Sequence, residues 1–157
     1  MSVGDNHSVV TDEERLYRSV KLCAGNFTDG SVDRRRLSSQ AFADRSLKIS
    51  MFRAALCINP PWGKPPRLNL DDAILDFSCG EVRQLGPINH QVEHKETQEY
   101  SIMVSPDVSG GQHVSHCLVH GNPAIERQGV FRKLKEKFTL LANDGRHWAI
   151  RPPDMYI

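Results

Sequence analysis

Three of the chain's seven histidines and one of its four cysteines fall between Gln112 and Gly121, and they set the first question of chemistry. On a helix, His113, His116, Cys117 and His120 would share one face at i, i+3, i+4 and i+7, a surface suited to a soft metal. On a strand, Val114, His116, Leu118 and His120 line one face; His113, Ser115, Cys117 and Val119 line the other. Residues four apart on a strand are separated by roughly 13 Å, too far to share one ion. The segment is short and β-branched near both ends. Gly110-Gly111 precedes it and Gly121-Asn122-Pro123 closes it, so we read a strand and assign no metal site. His116 then faces Val114 and Leu118. It is either a core imidazole with its hydrogen bonds satisfied or an acid–base catalyst. Cys117 lies on the opposite face, so the two form no dyad within the strand.

Arg18 poses a second question. Thr11-Asp12-Glu13-Glu14 has the form of a capping box, opening a helix through Leu16, Val20 and Cys23. Read instead as a strand, Arg15 to Leu22 puts Leu16, Arg18, Val20 and Leu22 on one face. Arg18 then requires an acid, a carbonyl or a ligand, because a stranded guanidinium is costly. Local spacing leaves both open. Ser50 sits in the alternating run Leu47 to Phe52. Arg83 sits in the short polar run Glu81 to Leu85, where a surface salt bridge is the ordinary role. Trp62 stands among Pro60, Pro61, Pro65 and Pro66, on a loop where an aromatic side chain suits contact with a protein partner.

Composition narrows the class. A chain of 157 residues with formal net charge +1 fits one domain and carries no global field toward nucleic acid or a membrane surface. Basic residues interleaved with aromatics, the mark of RNA binding, are missing, as are GxGxxG, GK[ST] and HExxH. No apolar run approaches the ~20 residues of a membrane span. The N-terminus lacks the basic and apolar regions of a secretory signal. Cys23, Cys57, Cys79 and Cys117 are scattered without a C-x-x-C, which suits reduced thiols and a cytoplasmic location.

The elements that must position these groups follow from periodicity. Phe131, Leu134, Phe138 and Leu141 predict a helix near 130–142. Strands are predicted near 15–21, 47–52, 81–85, 88–94, 113–119 and 147–150, with a weaker one over Ser101 to Val104. Asn69 as a cap, Asp71 and Asp72 in the first turn, and an apolar stripe of Leu70, Ile74 and Phe77 predict a short helix. Pro106 to Gly111 reads as a flexible approach to the histidine-bearing strand. The expected fold class is α+β: an antiparallel or mixed sheet with a C-terminal helix packed on one face. Residues 1–10 are expected to fray, and 11–157 to form one domain.

An ordered series of short motifs adds to this reading. Leu16-Tyr17-Arg18, Ser38-Ser39-Gln40-Ala41-Phe42, Ile49-Ser50, Cys79-Gly80-Glu81-Val82-Arg83-Gln84-Leu85-Gly86 and Ser115-His116-Cys117-Leu118-Val119-His120-Gly121 follow one another. The series resembles a group of small bacterial proteins of uncharacterised activity, which carry LYR, SSxAF, LS, AGxxRxLG and AHALVxG in that order. The Pro-rich loop and the polar stretch Glu93 to Gln112 depart from the group. The resemblance favours a strand over Leu16 to Val20, and it singles out Arg18, Ser50, Arg83 and His116 as the polar members of apolar or Gly-rich motifs. A strand bearing Tyr-Arg followed by a strand bearing serine is also similar to the start of ADP-ribosyltransferase-type folds. That likeness implies Arg18 and Ser50 around NAD, with Glu126 as the nearest late carboxylate, although Glu126 falls in a predicted loop or helix start.

The first expectation is therefore a non-enzymatic accessory module acting through a protein partner at Trp62. The alternative is a small nucleotide-handling enzyme with Arg18, Ser50 and His116 as catalytic residues, Arg83 in ligand binding, and NAD as the cofactor that the likeness implies. A zinc protein, with cysteines and histidines brought together across strands, is the third. The enzyme reading requires Arg18, Ser50 and His116 to converge around one pocket.

Overall fold

Alternation of apolar and polar side chains builds the sheet that carries the candidate residues. The computed structural model describes residues 9–28, 36–57, 72–108 and 111–152. Among these, seven strands form one sheet in the order β4-β5-β6-β2-β1-β3-β7: β1 is Arg15–Val20, β2 Ile49–Arg53, β3 Ala73–Ser78, β4 Ile88–His90, β5 Gln98–Pro106, β6 His116–Asn122 and β7 Trp148–Ile150. Every recorded pairing is antiparallel. With helix α2 at Gln128–Ala142 the architecture is α+β. None of the helices in the described residues is long and apolar enough to cross a membrane.

The register sorts the side chains into two faces. Leu16 lies opposite Arg53 on β2 and Phe77 on β3, while Tyr17 lies opposite Phe52 and Asp76. Met51 lies opposite Cys117, and Phe52 opposite His116. Leu16, Met51, Phe77 and Cys117 therefore share the core face; Tyr17, Ser50, Phe52 and His116 share the other. Helix α2 lies across the core face with Val130, Phe131, Leu134 and Phe138 buried. Phe138 stacks on Phe42 at 4.8 Å and meets Phe77 edge-on at 5.5 Å between ring centroids. Such aromatic pairs add to area burial through their quadrupoles. This is the predicted C-terminal helix, begun two residues before the expected 130.

Three expectations are corrected. The predicted helix through Leu70 to Phe77 is instead β3 over its described part. Ala73, Ile74 and Leu75 are all fully buried between β1 and β7, and a continuous apolar run serves a strand covered on both faces as well as a helix. The predicted strand over 81–85 is helix α1, Cys79–Arg83. Ser78 caps it, with Oγ accepting from Glu81 N while Glu81 Oε1 accepts from Ser78 N at 3.0 Å. This reciprocal pair satisfies donors that a helix start otherwise leaves open. The predicted strand over 88–94 ends at His90 and turns. Its partner β5 runs nine residues, far longer than the weak strand expected there.

The start of β1 settles the question of Arg18. Thr11 to Glu14 forms a turn, with Glu14 N donating to Thr11 O at 3.1 Å and Glu14 Oε2 accepting from Thr11 N at 2.8 Å. The acid does reach back as in a capping box, but a strand follows.

Candidate active site

The β1–β2 register pairs Leu16 with Arg53 and Tyr17 with Phe52. Next to this pairing the Arg18 guanidinium reaches backbone carbonyls. Nη1 donates to Ser50 O at 2.9 Å; Nη2 and Nε donate to Ala41 O at 2.9 and 3.3 Å. Ala41 belongs to a 3-10 turn, Ser39–Phe42, capped by Ser38. Arg18 thus ties the turn to β2. A cleft of about 340 Å³ lies here, lined by Arg18, Ser19, Lys21, Ser50, Phe52 and Asp72 together with Asn26, Gln40 and Ala41. Its size falls within the range of small-molecule sites.

Behind Ser50 stands a hydrogen-bonded relay. Ser50 Oγ lies 2.6 Å from His116 Nε2. His116 Nδ1 lies 2.9 Å from the main-chain oxygen of Asp107 and 3.2 Å from its carboxylate Oδ2. Neither oxygen has a proton to give, so Nδ1 carries the hydrogen. In the neutral ring Nε2 is then an acceptor, and the Ser50 hydroxyl donates to it. This is the tautomer that a serine nucleophile needs. His116 is 4 % exposed and sits against the Phe52 ring at 5.4 Å, whereas Ser50 is half-buried at the cleft wall.

The backbone explains why the three meet. Ser50 on β2 neighbours Leu118 on β6, one step along the same face from His116. β5 pairs with β6 so that Pro106 lies opposite Cys117, and the next residue, Asp107, donates its N–H to His116 O at 2.9 Å. The hairpin register therefore delivers the carboxylate to the imidazole. Asp107 was missed in the sequence because Pro106 to Gly111 reads as a loop. The usable signal was the alternation through Gln98 to Pro106, which extends β5 to the residue before Asp107.

Sequence reasoning named Arg18, Ser50 and His116; hydrogen bonds link them in series, but Arg18 shares the face of Leu16, opposite that of Ser50 and His116, and His116 lies behind the cleft and does not line it. Arg18 holds Ser50 through its carbonyl, and His116 holds Ser50 through its hydroxyl. Arg83 joins neither cleft nor relay: it lies on α1 and binds Asp12 Oδ1 at 2.5 Å and Val10 O, which anchors the chain ahead of β1. Trp62 lies outside the described residues. Glu126 is exposed on the connection between β6 and α2 and does not line the cleft. The carboxylate that does is Asp72, 2 % exposed, which accepts from Ser19 Oγ at 3.2 Å.

Electrostatics distinguish the groups further. Burial lowers the Arg18 pKa from the ordinary guanidinium value, and the charge of Asp44 partly opposes this. Burial raises the Cys57 and Cys79 thiols to about 11 and Cys117 to about 12, so none of the three is a ready nucleophile. Among the described residues no group of three or more His, Cys, Asp or Glu side chains is placed to hold a metal ion. Comparison with protein-family models, curated proteins and solved structures gave no match.

Proposed function

We propose that this protein is a small enzyme of the serine-nucleophile type, hydrolysing or transferring the acyl group of a small ester, thioester or amide bound in the β1–β2 cleft. The observation that carries this reading is the unbroken chain from Ser50 Oγ through His116 to Asp107, ending at the cleft wall. Such a relay is recognised by geometry and roles, not by position in the chain. As Ser50 Oγ bonds to the substrate carbonyl carbon, its proton passes to His116 Nε2. The bond from that carbon to the leaving group then breaks, and the leaving group departs with the proton. Water oxygen then bonds to the acyl carbon as its proton passes to His116; the acyl–Oγ bond breaks, Oγ takes that proton back, and the acid is released. Asp107 keeps the imidazole oriented and stabilises the imidazolium formed in each step.

A fluorophosphonate reagent tests the reading without knowledge of the natural substrate. Attack by Ser50 Oγ forms an O–P bond and expels fluoride, with the serine proton leaving as HF, so the intact protein gains one probe mass less HF. We expect a single adduct that Ser50→Ala loses. An unlabelled wild-type protein, or labelling that survives Ser50→Ala, would overturn the assignment.

A second reading keeps the cleft and changes the ligand. Arg18 on the first strand and Ser50 on the second flank one cleft with Phe52, the placement implied by the likeness to ADP-ribosyltransferase-type folds. Under this reading NAD or a related nucleotide binds there. Asp72, not Glu126, is the carboxylate within reach. A thermal shift with NAD in the wild type, absent in a variant with the cleft blocked by Ser19→Trp, favours it over the acyl reading.

A further inference from the structure

Arg18 is a charged group held by neutral partners. Its three hydrogen bonds go to the main-chain oxygens of Ala41 and Ser50, and among the described residues no carboxylate lies within ion-pair distance of it. Those bonds leave one N–H on each terminal nitrogen. The other arginines of the core and its edges behave differently: Arg53 makes a two-point pair with Glu14 at 2.8 and 2.9 Å, and Arg83 pairs with Asp12. Arg18 therefore sits half-buried at the cleft with its charge less fully matched than theirs. Lys21 lines the same cleft and is exposed. The carboxylate on that wall, Asp72, is buried and bonded to the Ser19 hydroxyl. Asp44 acts on Arg18 only through space.

We infer that the acyl group accepted by Ser50 carries an anion, a carboxylate or a phosphate, taken up by Arg18 and Lys21. The inference rests on the serine-nucleophile reading and names its substrate class. Guanidinium–carboxylate and guanidinium–phosphate bonds are charge-assisted and stronger than the carbonyl bonds Arg18 already makes. An anionic ligand also brings opposite charge into direct contact with a half-buried guanidinium whose hydrogen-bond partners are neutral.

Two p-nitrophenyl esters of matched length test this: hexanoate, which is neutral, and the monoester of adipate, which ends in a carboxylate. The expected result is a kcat/KM for the adipate ester at least about tenfold above that for hexanoate, the scale of one charge-assisted contact. Lys21→Glu, at an exposed position, should shrink that ratio several-fold, and added inorganic phosphate should inhibit adipate turnover. Equal turnover of both esters at Ser50, or a preference unmoved by Lys21→Glu, overturns the inference and leaves the serine reading standing. Turnover of neither ester, together with no fluorophosphonate adduct, overturns both.

Discussion

Replacing His116 with glutamine should slow fluorophosphonate labelling of Ser50 by roughly 10²–10⁴-fold, the usual contribution of a positioned general base. Glutamine has no basic nitrogen to receive the Ser50 proton, yet its amide can still bond to Oγ, so the strand pairing of β2 with β6 is preserved. Circular dichroism should match the wild type, which separates lost chemistry from lost fold. Removing the carboxylate with Asp107→Ala should cost less. The main-chain oxygen at residue 107 lies 2.9 Å from His116 Nδ1, nearer than the carboxylate at 3.2 Å, and it survives the substitution. If His116→Gln labels at the wild-type rate, His116 is a packing residue and the relay does no chemistry.

The largest expected effect on stability lies elsewhere, at His147. This side chain is 3 % exposed and packs against the Phe77 ring at 4.8 Å. Its Nδ1 lies 2.9 Å from Asp144 Oδ1, and its Nε2 lies 2.9 Å from Glu81 Oε2. The ring lies between the two carboxylates and joins α1 to the chain between α2 and β7. His147→Phe keeps a ring there and removes the hydrogen bonds to the carboxylates, for an expected loss of about 1–3 kcal/mol. That figure is set toward the low end for buried pairs because both carboxylates reach solvent.

The same network sets the direction with pH. Burial pushes the Glu81 carboxyl up, but hydrogen bonds from His147 and from Ser78 outweigh it, so its net shift is downward. For Asp144, burial is likewise overcome by hydrogen bonds from Arg146 and His147. A carboxylate whose folded pKa is lowered stabilises the fold above its unfolded value and loses that contribution as pH falls through the folded value. The carboxylate share of the Tm gap between wild type and His147→Phe should therefore be present above the unfolded carboxylate values. It should be lost as pH falls below the ordinary values of 4.5 for Glu81 and 3.8 for Asp144. A gap that stays constant into acid would show that His147 stabilises by packing alone.

Some of this was legible in the residues. Helix α2 follows from Phe131, Leu134 and Phe138 because a surface helix must repeat its apolar face every three to four residues. The histidine-bearing element is a strand as expected, but β6 runs His116–Asn122 rather than 113–119, starting three residues later and continuing through Gly121. That reading also placed Cys117 away from His116, and the strand indeed sets Cys117 in the core opposite Met51. Arg18, Ser50 and His116 were named as candidates; the ladders put Ser50 and His116 on one face, and Arg18, on the other, reaches Ser50 through its carbonyl.

What escaped the reading depends on tertiary pairing. Ala73 to Leu75 has no alternation to betray a strand, because β3 is covered on both faces. Asp71 and Asp72 before it imitate the first turn of a helix. The capping box of α1 is written in Ser78-Cys79-Gly80-Glu81, but Glu81 to Leu85 read as a short strand and the box was passed over. Asp107 carries no mark of its own beyond the alternation that brings β5 up to Pro106. Its role arises only when β5 and β6 pair in the register that sets it beside His116. Arg18 required a partner, as its apolar neighbours demanded, and found carbonyls instead of an acid.

Activation of Ser50 depends on which nitrogen of His116 bears the proton. Nitrogen-detected NMR of the ¹⁵N-labelled imidazole reads this directly. The relay predicts a protonated Nδ1 with a downfield, hydrogen-bonded proton and a bare Nε2 whose shift moves in Ser50→Ala. A ring protonated at Nε2 and bare at Nδ1 would leave Ser50 without a base and would contradict the assignment.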